Sequence, residues 1–319
     1  MNRRYFLQKS ALITAISILP MESIFARNRS LEKVGVQLFS LPRLLENDFR
    51  NAIKMIAEMG YKEVELFGPY SFSADSVKEQ WEALSPYLGF SGSGFYGHSA
   101  REVKSILDEF GISAPSMHTD LETMQKNMDQ LSEAAEVLGS TYIVLPAIPE
   151  EKRKNLDDYK RMADVFNEIG ESARKAGLKF AYHNHGYGLQ EMEGEIPFNI
   201  ILDQTDPDLV FFEMDVFWTT AGGIDPNAYL KNHPNRYQLM HLKDMKEEVR
   251  FSGDGGDTQQ WMELFPYMTS AGNGVLDLKA IIETAQQTGV KHFFIEQDLV
   301  KEPEVELQKS IDYLQSIGD

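Results

Sequence analysis

The chain has 319 residues, no cysteine, 42% hydrophobic residues and a formal charge of -18. That charge argues against nucleic acid or an anionic membrane surface as partner, since both need basic patches. The missing cysteines exclude disulfides, thiolate metal sites and cysteine nucleophiles, so any metal must be held by oxygen and nitrogen. In chain order, residues 1–26 read as an export signal. Asn2-Arg3-Arg4-Tyr5-Phe6-Leu7 resembles the twin-arginine pattern, and the apolar stretch 11–20 is too short for a permanent membrane anchor. Cleavage after Ala26 would free a mature chain with no membrane span, placing it in the periplasm or otherwise outside the cytoplasm.

Beyond the leader, strand-like and helix-like patterns alternate through one domain, 31–319. The strand-like segments are 34–39, 63–67, 113–118, 142–145, 179–184, 209–215, 237–243 and 292–297. Helical patterns over 49–59, 122–138, 157–176, 226–232, 278–288 and 303–316 lie between or after them. Several helical patterns end just before a glycine (Gly60, Gly111, Gly139, Gly177, Gly289), the usual stop signal. Eightfold alternation predicts a closed parallel (β/α)8 TIM barrel, and no Gly-x-Gly-x-x-Gly follows the first strand to support a dinucleotide-binding sheet. Two stretches break the rhythm, 68–100 and 247–274, the second carrying a helical piece over 261–268. Both emerge on the carboxyl face, where a decorated loop would cover a substrate.

Chemistry-bearing side chains gather at the ends of the later strands. Asp215 closes LVFFEMD, His241 closes YQLMH and Glu296 closes HFFIE. In a parallel barrel such ends converge on the face where catalysis occurs. Two carboxylates and an imidazole there suit a divalent cation, Mn²⁺ foremost, with Co²⁺, Mg²⁺ or Zn²⁺ as alternatives. Alternation along the strands turns Glu213 and Lys243 to the same interior, and a cluster of that polarity must be paired or metal-bound. Strand five brings His183 and His185, two of the seven histidines, onto one face. His183, deeper, is the fourth expected ligand, and His185, nearer the mouth, an acid or base; the reverse assignment stays open. His118, Trp218 and Asp244 are expected to contact substrate, Asp244 also to orient Lys243, and Lys243 to stabilise negative charge. Gln37 and Glu65 are weaker candidates, and His98, His233 and His292 are expected to be structural.

At these residues the chain resembles the xylose isomerase-like barrel superfamily, also called sugar phosphate isomerase/epimerase. The resemblance lies in Val34-Gly35-Val36-Gln37-Leu38-Phe39-Ser40, Tyr182-His183-Asn184-His185, His241-Leu242-Lys243-Asp244-Met245 and Phe294-Ile295-Glu296-Gln297-Asp298. It implies a divalent cation held by an acid at strand five, Asp at six, His at seven and Glu at eight, so that Asp215, His241 and Glu296 carry over. Strand five departs from the pattern: His183 stands where ketose epimerases place a glutamate, which puts two-carboxylate epimerisation in doubt. The resemblance implies an isomerase or epimerase of a sugar or keto-sugar working through an enediolate, with Glu296 or a strand-five histidine moving the proton. A lyase acting on a keto-sugar or keto-glycoside is the alternative, because inosose dehydratases share the barrel. A nuclease is disfavoured by charge, a non-catalytic carbohydrate-binding barrel remains open, and so does homo-oligomer formation.

Overall fold

A computed structural model describes residue 31 and residues 33–317; the expected leader, 1–26, lies outside the described residues. Eight parallel strands close into a barrel, each paired with its sequence neighbours and the last with the first. They are β1 (Gly35–Gln37), β2 (Glu63–Phe67), β3 (Ser113–His118), β4 (Tyr142–Leu145), β5 (Lys179–His183), β6 (Val210–Asp215), β7 (Tyr237–Leu242) and β8 (His292–Ile295). The outward side chains, among them Ile143, Phe180, Phe212, Met240 and Ile295, are buried in one apolar cluster with the surrounding helices. Burial on both faces explains why these strands read as near-continuous apolar runs.

Inside, the barrel is layered. Tyr142, Val144, Ala181, Leu239 and Phe294 pack as a separate apolar plug. Two residues further along β5, β7 and β8, the same face carries His183, His241 and Glu296. Register then sets neighbours, with His183 opposite Glu213 and Asp215 opposite His241. The helices Phe49–Met59 and Leu278–Thr288 end at Gly60 and Gly289, with φ of 112° and 110°. Both lie in the left-handed region, the sterically cheap way for a chain to leave a helix through glycine.

Four local departures from the sequence reading have physical causes. β1 stops at Gln37 because its side chain accepts the Phe39 N–H (3.1 Å) and starts a 3-10 turn, Leu38–Ser40. The expected helix 122–138 is broken at Asn127 into Leu121–Lys126 and Met128–Leu138, freeing Asn127 Nδ2 to donate to the Phe72 carbonyl (2.7 Å). Segment 68–100 is more than a loop, since it contains the helix Asp75–Leu88. In 247–274 the helix comes earlier, Thr258–Leu264, because Asp257 caps it by accepting the Gln259 N–H (2.8 Å). A two-residue antiparallel pair, Asp244–Met245 with Met268–Thr269, joins the end of β7 to that insertion.

The apolar plug generates a stability prediction. A Cβ built on Gly35 would lie 2.3 Å from the Phe294 ring, across the β1–β8 seam. Gly35→Ala should therefore destabilise the chain by about 1–3 kcal/mol through overpacking. Urea denaturation checks it, and unchanged stability would mean the seam yields more readily than its packing implies.

Candidate metal centre

The carboxyl ends of β2, β3, β5, β6, β7 and β8 deliver one connected polar network to the barrel mouth. Lys243, immediately after β7, is fully buried, with its Nζ 2.7 Å from Glu296 Oε2, 2.6 Å from Asp298 Oδ2 and 3.1 Å from Asp215 Oδ2. The last contact lacks the angle of a hydrogen bond, so Asp215 Oδ2 accepts none, although Oδ1 accepts the Trp218 N–H (2.9 Å). His241 places Nδ1 2.9 Å from Glu296 Oε2 and Nε2 2.6 Å from Glu65 Oε2. Below, Glu213 Oε2 accepts from His118 Nε2 (2.8 Å) and His183 Nδ1 (3.0 Å). Glu65 also accepts from Gln37 (2.8 Å) and Ser116 (2.5 Å).

These contacts set protonation. Burial works against charge at Lys243, but Asp215, Asp298 and Glu296 outweigh it and raise its pKa far above the ordinary value. Burial likewise opposes protonation of His118, yet Glu65 and Glu213 raise it to about 9. His241 is raised in the same way by Glu213, Glu296 and Glu65. Glu213 is held down at about 2 despite burial and the repulsion of Glu65, because His241 and His118 face it. Burial and then Lys243 push His185 down to about 3, leaving it neutral. Its Nδ1 lies 2.5 Å from the Pro146 carbonyl, which can only accept, so Nδ1 carries the proton and Nε2 the lone pair.

Among the described residues, two overlapping groups offer ligand atoms within 4.8 Å of one another: His183, Asp215, His241 and Glu296, and, deeper, His118, His183, Glu213 and His241. The first fits a divalent cation better. It combines two carboxylates with two imidazoles, and Asp215 Oδ2 is an acceptor with no hydrogen bond of its own. His183 donates Nδ1–H to Glu213, which fixes the ring and leaves Nε2 to coordinate, as outer-sphere carboxylates do in metal sites. The deeper group offers a single carboxylate with three imidazoles; Glu213 gives Oε2 to His118 and His183, and its Oε1, like Asp215 Oδ2, accepts no hydrogen bond.

A cavity of about 340 Å³ opens over this cluster, with Gln37, His118, His183, His185, Glu296 and Asp298 on its polar side. The structure thus brings His118, His185, His183 and Glu296 to one cavity, with Asp215, His241 and Lys243 directly behind it. Two expected substrate contacts are placed elsewhere. Trp218 is buried, stacked on Phe251 (5.6 Å between centroids), and its ring lies 5.2 Å from Lys243 Nζ. It backs the ammonium by a cation–π contact and does not line the cavity. Asp244 neither reaches the cavity nor pairs with Lys243. Its carboxylate accepts backbone N–H groups of Met245, Gly272, Gly274 and Leu276 at 2.8–3.2 Å, tying down the end of the insertion. Alternation had turned it away from the interior, the signal that separates it from Lys243. Asp298 takes the role expected of Asp244, and Glu65, a weaker candidate, proves central. His292 is structural, pairing with Glu63 (2.8 Å).

A family model described as xylose isomerase-like TIM barrel matches residues 53–317. An inosose dehydratase of Clostridium beijerinckii is 25% identical over 214 residues, covering 64% of this chain and 66% of that protein, just under two thirds of its length. A sugar phosphate isomerase/epimerase from Parabacteroides distasonis shares 26% identity and superimposes with a TM-score of 0.68, covering 89% of this chain and 93% of that one. The IOLI protein, whose crystal structure holds a zinc atom, superimposes at 0.61 with 15% identity over 89% of this chain and 96% of its own. At that identity the likeness is one of fold.

Two predictions separate the functions of the neighbouring acids. Elemental mass spectrometry should find about one divalent ion per chain in the wild type and almost none in Asp215→Ala. If Glu213→Gln loses the ion while Asp215→Ala keeps it, the deeper group is the site. Asp244→Ala should leave metal content unchanged but lower stability to urea by roughly 2–4 kcal/mol, because several backbone donors lose a charged acceptor together. Equal stability would show that water replaces the carboxylate.

Proposed function

The chain belongs to the xylose isomerase-like TIM barrel family, and we propose that it is a divalent-metal-dependent lyase that eliminates a group β to the carbonyl of a polyhydroxylated ketone. Similarity to inosose dehydratases supports elimination above isomerisation, which reverses the order expected from sequence. The observation that carries the reading is the placement of His185, its Nδ1–H held by the Pro146 carbonyl and its ring 4.7 Å from that of His183 in the four-donor cluster.

His183, Asp215, His241 and Glu296 would hold the ion, with Mn²⁺ as our expectation. When bound, it supplies Lewis acidity to the substrate carbonyl and so acidifies the adjacent C–H. His185 Nε2 removes that proton, and the Pro146 carbonyl on Nδ1–H steadies the resulting imidazolium. Lys243, clamped by three carboxylates, contributes a fixed positive charge where negative charge develops on substrate oxygen. His118, kept protonated by Glu65 and Glu213 at Nε2, lies on the same polar side, its ring 5.3 Å from that of His183, and donates from Nδ1 to the departing hydroxyl. The C–H electron pair forms the new double bond as the C–O bond breaks, and the hydroxyl leaves as water.

A sugar isomerase or epimerase is the second reading, favoured by the likeness to the Parabacteroides protein. It shares the proton abstraction and would need a second group to return the proton at the neighbouring carbon. His183 stands where a two-carboxylate mechanism needs glutamate, which weighs against it. From the leader sequence alone, we place this activity after export, in the periplasm.

The test is incubation of metal-loaded protein with an inosose, followed by mass spectrometry. Loss of one water is expected, and His185→Gln should keep its metal while kcat falls about 10²–10⁴-fold. A product of unchanged mass would favour the isomerase. Wild-type kcat in His185→Gln would remove His185 from the mechanism.

A further inference from the structure

The cavity has a second wall that the chemistry above does not use. It is formed by Phe39, Phe67, Pro69, Val77, Trp81 and Leu84, and meets the polar side where Phe67 stands in register with His118. Apart from Phe39 and Phe67, at the ends of the first two strands, these come from segment 68–100, and Gln80 is the one polar side chain that segment adds. Trp81 presents only its ring to this wall, because its Nε1–H is committed to the Ser91 carbonyl (2.7 Å). The wall is also braced. Phe39 packs edge-on against Phe67 (5.2 Å between centroids) and Phe90 (5.8 Å), and Trp81 packs at a tilt against Phe67 (6.1 Å) and Phe90 (5.8 Å).

A free polyol is polar all round its rim, and hydroxyls turned to this wall would lose water without gaining partners. Size points the same way. The cavity of about 340 Å³ is more than twice the roughly 150 Å³ that holds one benzene ring in an engineered protein cavity. It has room for a ring on the polar side and a second ring against the aromatics. We infer that the substrate is an amphiphile: a polyhydroxylated ketone bearing an aryl substituent, with the aryl ring seated on Phe67, Trp81 and Leu84.

This deepens the proposed function and rests on its reading of the polar side. The aromatic wall selects among ketones by the group they carry, and the metal centre acts on whichever ketone is seated.

Isothermal titration of Mn²⁺-loaded protein with two inert probes, phenyl and methyl β-D-glucopyranoside, tests it. The phenyl glycoside should bind at least tenfold more tightly, about 1.4 kcal/mol. That ratio should fall at least threefold in Leu84→Gln, a mouth residue that is 45% exposed and so tolerant of exchange, and further in Trp81→Ala. Affinities within twofold of each other, failure of both probes to bind, or a ratio unchanged in both variants would overturn the inference. Tighter binding of methyl β-cellobioside than of the phenyl glycoside would overturn it too, in favour of a second sugar. Metal analysis of the same samples separates the two readings. Metal-free protein that still prefers the aryl probe keeps the subsite and defeats the proposed chemistry; metal-loaded protein indifferent to the aryl group does the reverse.

Discussion

Four carboxylates buried at the mouth of one barrel, Glu65, Glu213, Asp215 and Glu296, with Asp298 beside them, are the constraint around which the molecule is organised. Each would be strongly disfavoured there as an isolated charge. Lys243 faces Asp215, Glu296 and Asp298, and His241 links Glu65, Glu213 and Glu296. Protonation of His118 and His241 supplies the remaining positive charge. A divalent ion would do the same work at His183, Asp215, His241 and Glu296, and would compete with the proton on His241. Metal binding and protonation are therefore alternative ways of balancing the same buried charge.

The barrel architecture makes this cluster tolerable. Its apolar plug and outer helices pack as clusters of their own, separate from the charged residues. The polar layer is held through pairwise bonds that also orient it. Glu213 fixes the His183 ring, Glu65 is steadied by Gln37 and Ser116, and Trp218 closes the back of Lys243. These partners thus decide which nitrogen or oxygen faces the cavity. The insertion after β2 adds most of the apolar wall, so chemistry and selectivity draw on different parts of the chain.

Most of the fold was legible in the sequence. Four helices, Phe49–Met59, Pro226–Asn232, Leu278–Thr288 and Pro303–Ser316, have the bounds expected from periodicity and end signals. Strand ends drifted where a side chain intervened, as Gln37 does at β1. The helix break at Asn127 depends on a bond to Phe72, a residue 55 positions away, and local pattern carries no trace of it. For the site, alternation turned Glu213, Asp215, His241, Lys243 and Glu296 inward together, because a strand offers side chains only two directions. It could not rank them. Glu65 looked peripheral because its importance lies in contacts with His118 on the neighbouring strand and with His241 across the barrel.

Sequence by itself determined the barrel and the set of residues at its carboxyl end, since both follow from the strand period and the order of elements along the chain. Tertiary structure decided the partnerships. That Lys243 is held by Asp298 and not by its neighbour Asp244 depends on the direction each side chain takes. That Trp218 backs an ammonium while Trp81 lines the cavity depends on how two insertions fold back over the mouth. Such choices are made by closure of the barrel in three dimensions, where residues far apart in sequence compete for the same few ångströms.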